Sequence, residues 1–343
     1  MREVRPMLTA AGVPVDRVVR CESLSGGTYN TLHRIALSDG TELVLKVPPP
    51  ATDRCLRYER GILRGEEVFH RRAAEAGVPV PRVLHADHDG TAGAGPFLLM
   101  SACAGVPWHA VAADLEAGER ARLRGELGRL VARLHTVVGP AFGYPAESVA
   151  PLSPAWRPAF TAMVDAVLDD ADRYAARLPR PVDRIRRLLH AASPALEEVT
   201  EPVLVHFDLW EGNVLLTGAP GARTIGGVVD GERMFWGDPL ADFASLALLG
   251  DIEDDPAFLA GYASGGGRAD FDATARTRMA LYRAYLYLIM LVEVEPRRHP
   301  AEQRAWVRDH VAPHLEKALD ALDAASAPDR RPGGSPPGAS RSG

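Results

Sequence analysis

The sequence predicts a two-lobed α+β fold, in which an antiparallel sheet lobe containing one helix precedes a larger, mostly helical lobe. Three observations predict it. The chain has 343 residues, enough for two lobes around a shared core. The first hundred residues contain short apolar alternations bounded by turns, whereas beyond Gly105 apolar residues recur at helical spacing. Hydrophobic residues make up 46% of the chain and charged residues 24%, which is typical of a globular protein.

The sheet lobe is predicted from paired apolar runs with turn residues between them. Asp39-Gly40 lies between two such runs and indicates a hairpin. The single helix of this lobe is expected to end at Gly77, because Pro79 and Pro81 follow it. The elements predicted here are strands at 18–21, 31–37, 42–47, 82–86 and 96–100, and a helix at 58–76.

The second lobe is predicted from apolar residues at intervals of three and four. Leu123, Leu127, Leu130 and Leu134 form one such face. A compact β segment interrupts the helices and carries polar residues at its strand ends. The predicted helices are 115–137, 155–178, 181–199, 271–294 and 301–325, and the predicted strands are 203–205, 214–216 and 226–229.

Composition and charge exclude several classes of protein. The net charge is −6 and no basic stripe occurs, so we expect no nucleic-acid partner. The most apolar stretch, 284–292, is too short to cross a bilayer, so no membrane span is predicted. Cys21, Cys55 and Cys103 are odd in number and widely spaced, which favours neither disulfides nor zinc. We therefore expect a reduced, cytoplasmic protein.

Asp208 and Asn213 lie five residues apart, on a loop between two apolar runs. A carboxylate can accept the proton of an attacking hydroxyl, and an amide oxygen can bind Mg²⁺. The alternative interpretation is an ordinary turn stabilised by these two side chains. A third residue, Asp230, ends the next apolar strand, where a second oxygen ligand for Mg²⁺ would be needed in phosphoryl transfer.

Lys46 is unusual because this chain almost avoids lysine. Of the 39 basic residues, 37 are arginines, and the only other lysine is Lys317. A lysine at the end of a strand commonly extends to solvent. Because arginine occupies nearly every other basic position, Lys46 indicates a need for a compact ammonium, such as contact with nucleotide phosphates. Glu66 and Glu67 are candidate partners on the following helix; we favour Glu66, and the alternative stays open.

Taken together, these motifs resemble the aminoglycoside phosphotransferase family, which has a protein-kinase-like fold. The resemblance extends over about residues 15–325. The segment 25–28 (Ser25, Gly26, Gly27 and Thr28) resembles the family's nucleotide-covering loop, and the segment 206–213 resembles its catalytic loop. Residues 96–100 are similar to the strand before the family's adenine-binding hinge, which implies adenine contacts at Met100, Ser101 and Cys103. The implied organisation is a nucleotide-binding lobe at 1–100, a hinge at 101–106, a catalytic and acceptor-binding lobe at 107–326 and a disordered tail at 327–343.

The resemblance implies transfer of the ATP γ-phosphoryl group to a hydroxyl of a small molecule. Asp208 would be the base, Asn213 and Asp230 would hold Mg²⁺, and Lys46 would contact the phosphates. ATP is expected in preference to GTP, because flexible Met100 leaves room for adenine. The expected acceptor is an antibiotic, an aminoglycoside or a sugar-bearing nucleoside or peptide, inactivated by phosphorylation. Two alternatives are a kinase for a sugar or amino alcohol metabolite and a non-catalytic nucleotide-binding module.

Two departures from the family pattern leave the acceptor open. Phe207 replaces a glycine that is frequent in the family, and Trp210 replaces a histidine. These aromatic side chains could exclude water from the active site or stack on an acceptor ring, or they could fill the core below the loop. Acidic clusters could attract a polycationic antibiotic, although such clusters are usually solvated surface. The clusters comprise Asp165, Asp169, Asp170 and Asp172, and the segment 251–255.

Overall fold

The computed structural model describes residues 3–24, 29–50, 54–91, 93 and 95–326. The N-terminal lobe contains an antiparallel sheet, as the sequence predicts, and the structure gives its strand order as β1-β2-β3-β5-β4. Its hairpin turns at Asp39-Gly40, where Gly40 has a φ of 84°. The strands are β1 (Val18–Leu24), β2 (Thr31–Leu37), β3 (Glu42–Val47), β4 (Val83–Asp87) and β5 (Phe97–Ser101).

The two faces of this sheet have different neighbours. Leu43, Leu45 and Ile35 form a small core with α1 (Arg5–Ala10), a helix that the sequence analysis did not predict. The opposite face carries Lys46, which lies directly across from Leu98 of β5. Because directly opposed residues of antiparallel strands share a face, Lys46 points toward α2 (Ile62–Glu75) and the second lobe. The sheet therefore presents one lysine to the space between the lobes.

The second lobe is built from helices around one large apolar core, as predicted. Its α4 and α8 approach closely, because a Cβ on Gly128 would lie 2.3 Å from the backbone oxygen of Phe258. No helix of the described ranges is long and apolar enough to cross a bilayer. The helices are α3 (Trp108–Val111), α4 (Ala117–Leu134), α5 (Trp156–Arg173), α6 (Val182–Ala192), α7 (Leu240–Leu246), α8 (Pro256–Ser264), α9 (Ala273–Glu293) and α10 (Ala301–Ser326).

Short strands in the second lobe position the loops that carry the polar motifs. Strand β7 pairs with β10, and β8 lies between β6 and β9. The sequence analysis predicted β7, β8 and β9 but missed β6 and β10, which have only two and three residues. The strands are β6 (Val106–Pro107), β7 (Val203–Val205), β8 (Val214–Thr217), β9 (Thr224–Val228) and β10 (Phe235–Gly237).

Two predicted helices begin or end elsewhere, and two short helices were not predicted. Helix α2 begins at Ile62 rather than at residue 58, because a 3-10 turn (Arg57–Glu59) and Gly61, with a φ of 68°, precede it. Helix α6 ends at Ala192, where a 3-10 turn containing Pro194 begins. Helices α7 and α8, each shorter than ten residues, were not predicted. The predicted tail at 327–343 lies outside the described residues.

Candidate active site

The loop that follows β7 is held in place by a buried carboxylate. Asp242 of α7 accepts hydrogen bonds from the backbone N–H groups of His206 (3.0 Å) and Phe207 (2.7 Å). The same carboxylate contacts His135 Nε2 at 3.0 Å, and Tyr262 hydroxyl lies 2.8 Å from the other nitrogen of that ring. Asp242 thus orients the backbone that leads directly into Asp208.

Phe207 occupies the position where the family often has glycine. Its φ is 61°, a left-handed conformation that glycine adopts without strain. The phenyl ring is fully buried, with ring centroids 5.0 Å from Phe235 and 5.5 Å from Tyr285. Burial of a large aromatic ring offsets the backbone strain, which costs about 1–3 kcal/mol. Of the interpretations that the sequence left open for Phe207, its burial therefore supports the one in which the ring fills the core.

Asp208 and Asn213 contact each other across the loop. The amide nitrogen of Asn213 donates to the backbone oxygen of Asp208 (2.8 Å) and to its Oδ2 (3.2 Å). Ser245 Oγ accepts from the N–H of Leu209 at 3.0 Å, which fixes the next residue. Burial, and secondarily the nearby Asp230 carboxylate, raise the pKa of Asp208 above its usual value despite the opposing effect of Arg233.

Asp230 follows β9 and lies beside Asn213. The N–H of Val229 donates to the backbone oxygen of Asn213 at 3.0 Å, which joins the two segments. Asp230 itself has a φ of 64°, so the chain turns sharply there. Burial alone would raise the pKa of Asp230, but the Lys46 ammonium outweighs burial and holds this pKa below its usual value.

Lys46 lies in the middle of three carboxylates. Its Nζ is 2.7 Å from Glu66, 2.6 Å from Asp230 and 2.6 Å from Glu232. Burial disfavours the ammonium, but the three negative charges raise the pKa of Lys46 well above its usual value. Glu67 points elsewhere and contacts His88 (2.6 Å) and Arg71 (2.8 Å). Of the two adjacent glutamates, Glu66 is thus the one paired with Lys46.

Glu232 is a member of this cluster that sequence reasoning missed. The signal was present, since Glu232 follows Asp230 by two residues directly after a strand. Its Oε2 also accepts a hydrogen bond from Asn30 at 2.5 Å, at the start of β2. The carboxylate oxygens of Glu66, Asp230 and Glu232 lie within 4.8 Å of one another, close enough to surround a cation. In the structure the ammonium of Lys46 takes that place.

Substitution of Glu232 by glutamine is expected to change how stability depends on pH. Burial raises the pKa of Glu232 to about 8, although Lys46 opposes this. A raised pKa means that the folded state binds the proton more tightly, so this contribution is fully present below about pH 4.5 and is lost as pH rises through about 8. Between about pH 6 and 9, in EDTA, the Tm of the wild type should fall more than that of Glu232→Gln. Glu67→Gln is the matched control, and an equal fall in all three proteins would contradict the assignment.

Arg233 is a second residue that the sequence analysis missed. Its Nη1 lies 3.7 Å from Asp208 Oδ1, and its Nη2 lies 2.9 Å from Glu293 of α9. Glu293 is also 3.1 Å from Arg297, and Arg297 pairs in turn with Glu59, on the 3-10 turn before α2. Buried charges thus form a continuous chain from the segment preceding α2 to Asp208.

Replacement of Arg233 by methionine is expected to lower kcat roughly 10- to 100-fold with little change in the KM for ATP, because the guanidinium orients Asp208 at close range. Glu293 would keep Arg297 as a partner, so the variant should fold. Arg233→Lys should recover part of the loss. Arg297→Gln breaks the far end of the chain and serves as the control; an equal fall in kcat there would indicate a general structural effect instead.

The predicted hinge follows β5. Met100 is buried and Ser101 is half-buried, and the N–H groups of Ser101 and Ala102 donate to Arg82 and Glu42 oxygens at 2.9 Å. Among the described residues no acceptor is found for the N–H of Cys103. Burial raises the pKa of the Cys103 thiol to about 11. The candidate loop residues Ser25, Gly26, Gly27 and Thr28 lie outside the described residues.

A cavity of about 760 Å³ adjoins the catalytic loop and is lined by Trp210, Glu211 and His109. The Trp210 indole stacks on the His109 ring, with centroids 5.3 Å apart, and packs against Gly212, where a Cβ would overlap the indole. Trp210 is 37% exposed. Five other large aromatic residues of this lobe are buried in the core: Trp108, Trp156, Trp236, Tyr282 and Tyr285.

The two-lobed fold, with a lysine and acidic strand ends facing each other between the lobes, defines a kinase-like phosphotransferase. The chain belongs to the phosphotransferase enzyme family, whose model (APH) matches residues 20–282. Members of this class transfer phosphate to hydroxyl groups, so the protein is a phosphotransferase. The family resemblance noted in the sequence is thereby confirmed.

Individual relatives differ in what they act on. The chain is 29% identical over 222 residues to an aminoglycoside 3'-phosphotransferase of Streptomyces fradiae, covering 65% of this chain and 76% of that protein. A structure described as a fructosamine-3-kinase from Thermobifida fusca has a TM-score of 0.63 at 22% identity, covering 90% of this chain and 93% of that one. The streptomycin–ATP complex of APH(2'')-IIa has a TM-score of 0.57 at 16% identity, covering 93% and 97%. At such identities the two structures establish the fold alone.

Proposed function

We propose that the protein transfers the γ-phosphoryl group of ATP, with Mg²⁺, to a hydroxyl of an antibiotic and so inactivates it. The observation that carries this proposal is the contact of Asp208 with Asn213, beside Asp230. A base and two oxygen ligands on one edge of the lobe are the groups that phosphoryl transfer requires. The similarity to an antibiotic phosphotransferase of Streptomyces fradiae supports the acceptor class. We assign the reaction to the cytoplasm, where ATP is available.

The donor set fits Mg²⁺. The amide nitrogen of Asn213 is used in holding Asp208, which leaves its amide oxygen as a ligand, and Asp230 supplies a carboxylate. Both are hard oxygen donors of the kind that this ion prefers. Mg²⁺ bound there would neutralise phosphate charge during transfer. Lys46 would add a positive charge from the N-terminal lobe.

The protein's own residues perform the remaining steps. Asp208 accepts or orients the proton of the attacking hydroxyl, and Asp242 and Arg233 hold its loop and its carboxylate in place. Lys46, kept in position by Glu66, binds the phosphates. The N–H of Cys103 is suited to the adenine edge. The loop at 25–28 is assigned to covering the phosphates by its family resemblance.

The decisive experiment incubates purified protein with Mg²⁺-ATP and a panel of aminoglycoside, nucleoside and peptide antibiotics together with sugars and amino alcohols. Mass spectrometry then detects any product that is heavier by one phosphate. Phosphorylation of an antibiotic, and reduced susceptibility of a host that expresses the protein, are the expected results. If metabolites alone were phosphorylated, the antibiotic assignment would be wrong. GTP in place of ATP, at equal concentration, tests the donor.

A metabolite kinase is the second candidate, favoured by the similarity to a fructosamine-3-kinase. It predicts turnover of a sugar or amino alcohol and no change in drug susceptibility. A non-catalytic nucleotide-binding module has less support, because Lys46, Asp208, Asn213 and Asp230 are all present. Nucleotide binding without turnover of any acceptor would support it.

A further inference from the structure

The cavity beside Trp210 is close to the candidate base. Trp210 is two residues after Asp208, and two residues of extended chain span at most about 7 Å. The cavity has a volume of about 760 Å³, which suits a drug-sized molecule. Trp210 and His109 provide an aromatic wall, and the segment 245–257 lies across from them. An acceptor in this cavity would therefore lie near the catalytic loop.

Arginines in and beside this cavity offset all but one of its four carboxylate charges. Most of its carboxylates are already paired with arginine: Glu211 with Arg120 at 3.0 Å, Asp255 with Arg124 at 2.5 Å, and Asp251 with Arg283 at 2.6 Å. Among the described residues Asp254 is the lining carboxylate for which no ion pair is found. The charged residues that line the cavity are Glu211, Asp251, Asp254, Asp255, Arg120 and Arg124.

The second acidic cluster is neutralised in the same way. Arg186 of α6 contacts Asp165 at 2.5 Å and Asp169 at 2.9 Å. Asp170 accepts a hydrogen bond from the backbone N–H of Arg57 at 2.6 Å. Clusters that the sequence offers as attractors of a polycation are therefore largely occupied by the protein's own arginines. A multiply charged ligand would have to compete with these arginines for most of its carboxylate contacts.

We propose that this cavity is the acceptor site and that it selects an alcohol with a ring and no more than one positive charge over a polyamine sugar. The inference rests on the proposed function. The exposed part of the Trp210 indole offers an apolar surface against which a ring of the acceptor can pack. Asp254, the one lining carboxylate for which the described part of the chain provides no ion pair, matches one positive charge. Electrostatics thus disfavour the polycations that the acidic sequence suggests.

The test measures binding by calorimetry at low salt, with erythromycin as the single-amine probe and kanamycin as the polyamine probe. Wild-type protein should bind erythromycin at least about tenfold more tightly than kanamycin. Trp210→Ala should weaken erythromycin binding about tenfold. Arg120→Gln releases Glu211 and should strengthen kanamycin binding about fivefold, whereas Arg308→Gln, the same charge change on exposed α10, should leave it unchanged.

The results separate this inference from the proposed function. Tighter binding of kanamycin than of erythromycin, no erythromycin binding, or an erythromycin affinity that does not depend on Trp210 would overturn the inference. If Arg120→Gln lost its fold, Glu211→Gln is the second variant and should weaken kanamycin binding further. Erythromycin binding that depends on Trp210 but gives no phosphorylated product would overturn the antibiotic assignment and support the charge limit. Efficient phosphorylation of kanamycin would support the antibiotic assignment and overturn the charge limit.

Discussion

Replacement of Asp208 by alanine is expected to lower kcat about 10²- to 10⁴-fold, the range typical for loss of a general base. The KM for ATP should change little, because Asp208 acts on the acceptor hydroxyl. Stability should be unchanged or higher, since burial raises the pKa of this carboxyl and its removal relieves that cost. The measurement is steady-state kinetics with the best acceptor of the panel, together with Tm.

Two further variants locate the effect of Asp208. Asp208→Asn keeps the shape and the contact with Asn213 but cannot accept the proton, so its kcat should be as low as that of the alanine variant. Asp89→Asn, an exposed carboxylate beyond β4, is the matched control and should be as active as the wild type. Turnover by Asp208→Ala within about threefold of the wild type would remove Asp208 from the mechanism.

Replacement of Lys46 by methionine is expected to lower kcat/KM for ATP at least about 100-fold, as for loss of a preorganised charge. It should also destabilise the protein by about 3–5 kcal/mol, because Glu66, Asp230 and Glu232 would lose their shared buried partner. Nucleotide titration and thermal unfolding measure the two effects.

The two effects of the Lys46 substitution can be separated. The double variant Lys46→Met with Glu66→Gln removes one of the stranded charges, so it should recover stability but not activity. Lys317→Met changes the chain's only other lysine, which is exposed on α10, and serves as the control. If the double variant recovered both stability and nucleotide use, Lys46 would have a structural role only.

Much of the candidate site could be proposed from the sequence, because strand ends and side-chain chemistry are local properties. Asp208 and Asn213 lie on a loop between two apolar runs, Asp230 ends a third run, and Lys46 stood out by composition. What could not be predicted are contacts between distant segments. Glu232 contacts Lys46 across 186 positions of the chain, and Asp242 of α7 accepts a hydrogen bond from the backbone of His206, 36 positions earlier. Such pairings depend on tertiary packing, which spacing does not encode.

The same limit applied to the fold. Long amphipathic helices such as α4 and α9 were predicted within a few residues, because their apolar spacing is repeated over several turns. The short helices α1, α7 and α8 contain too few turns for a pattern. Phe207 and Trp210 show a further limit, since aromatic residues three positions apart have opposite environments. Only the structure distinguished the buried ring from the exposed one.

The burial of Lys46 also determines how this protein can be attached to a surface. Lys46 is 2% exposed and ion-paired, whereas Lys317 is exposed on α10. An amine-reactive matrix would therefore find Lys317 as its only accessible lysine side chain. Coupling through it would hold the molecules by the C-terminal helix and leave the lysine between the lobes unmodified. Immobilised protein prepared in this way should keep its nucleotide site open to flowing ligand.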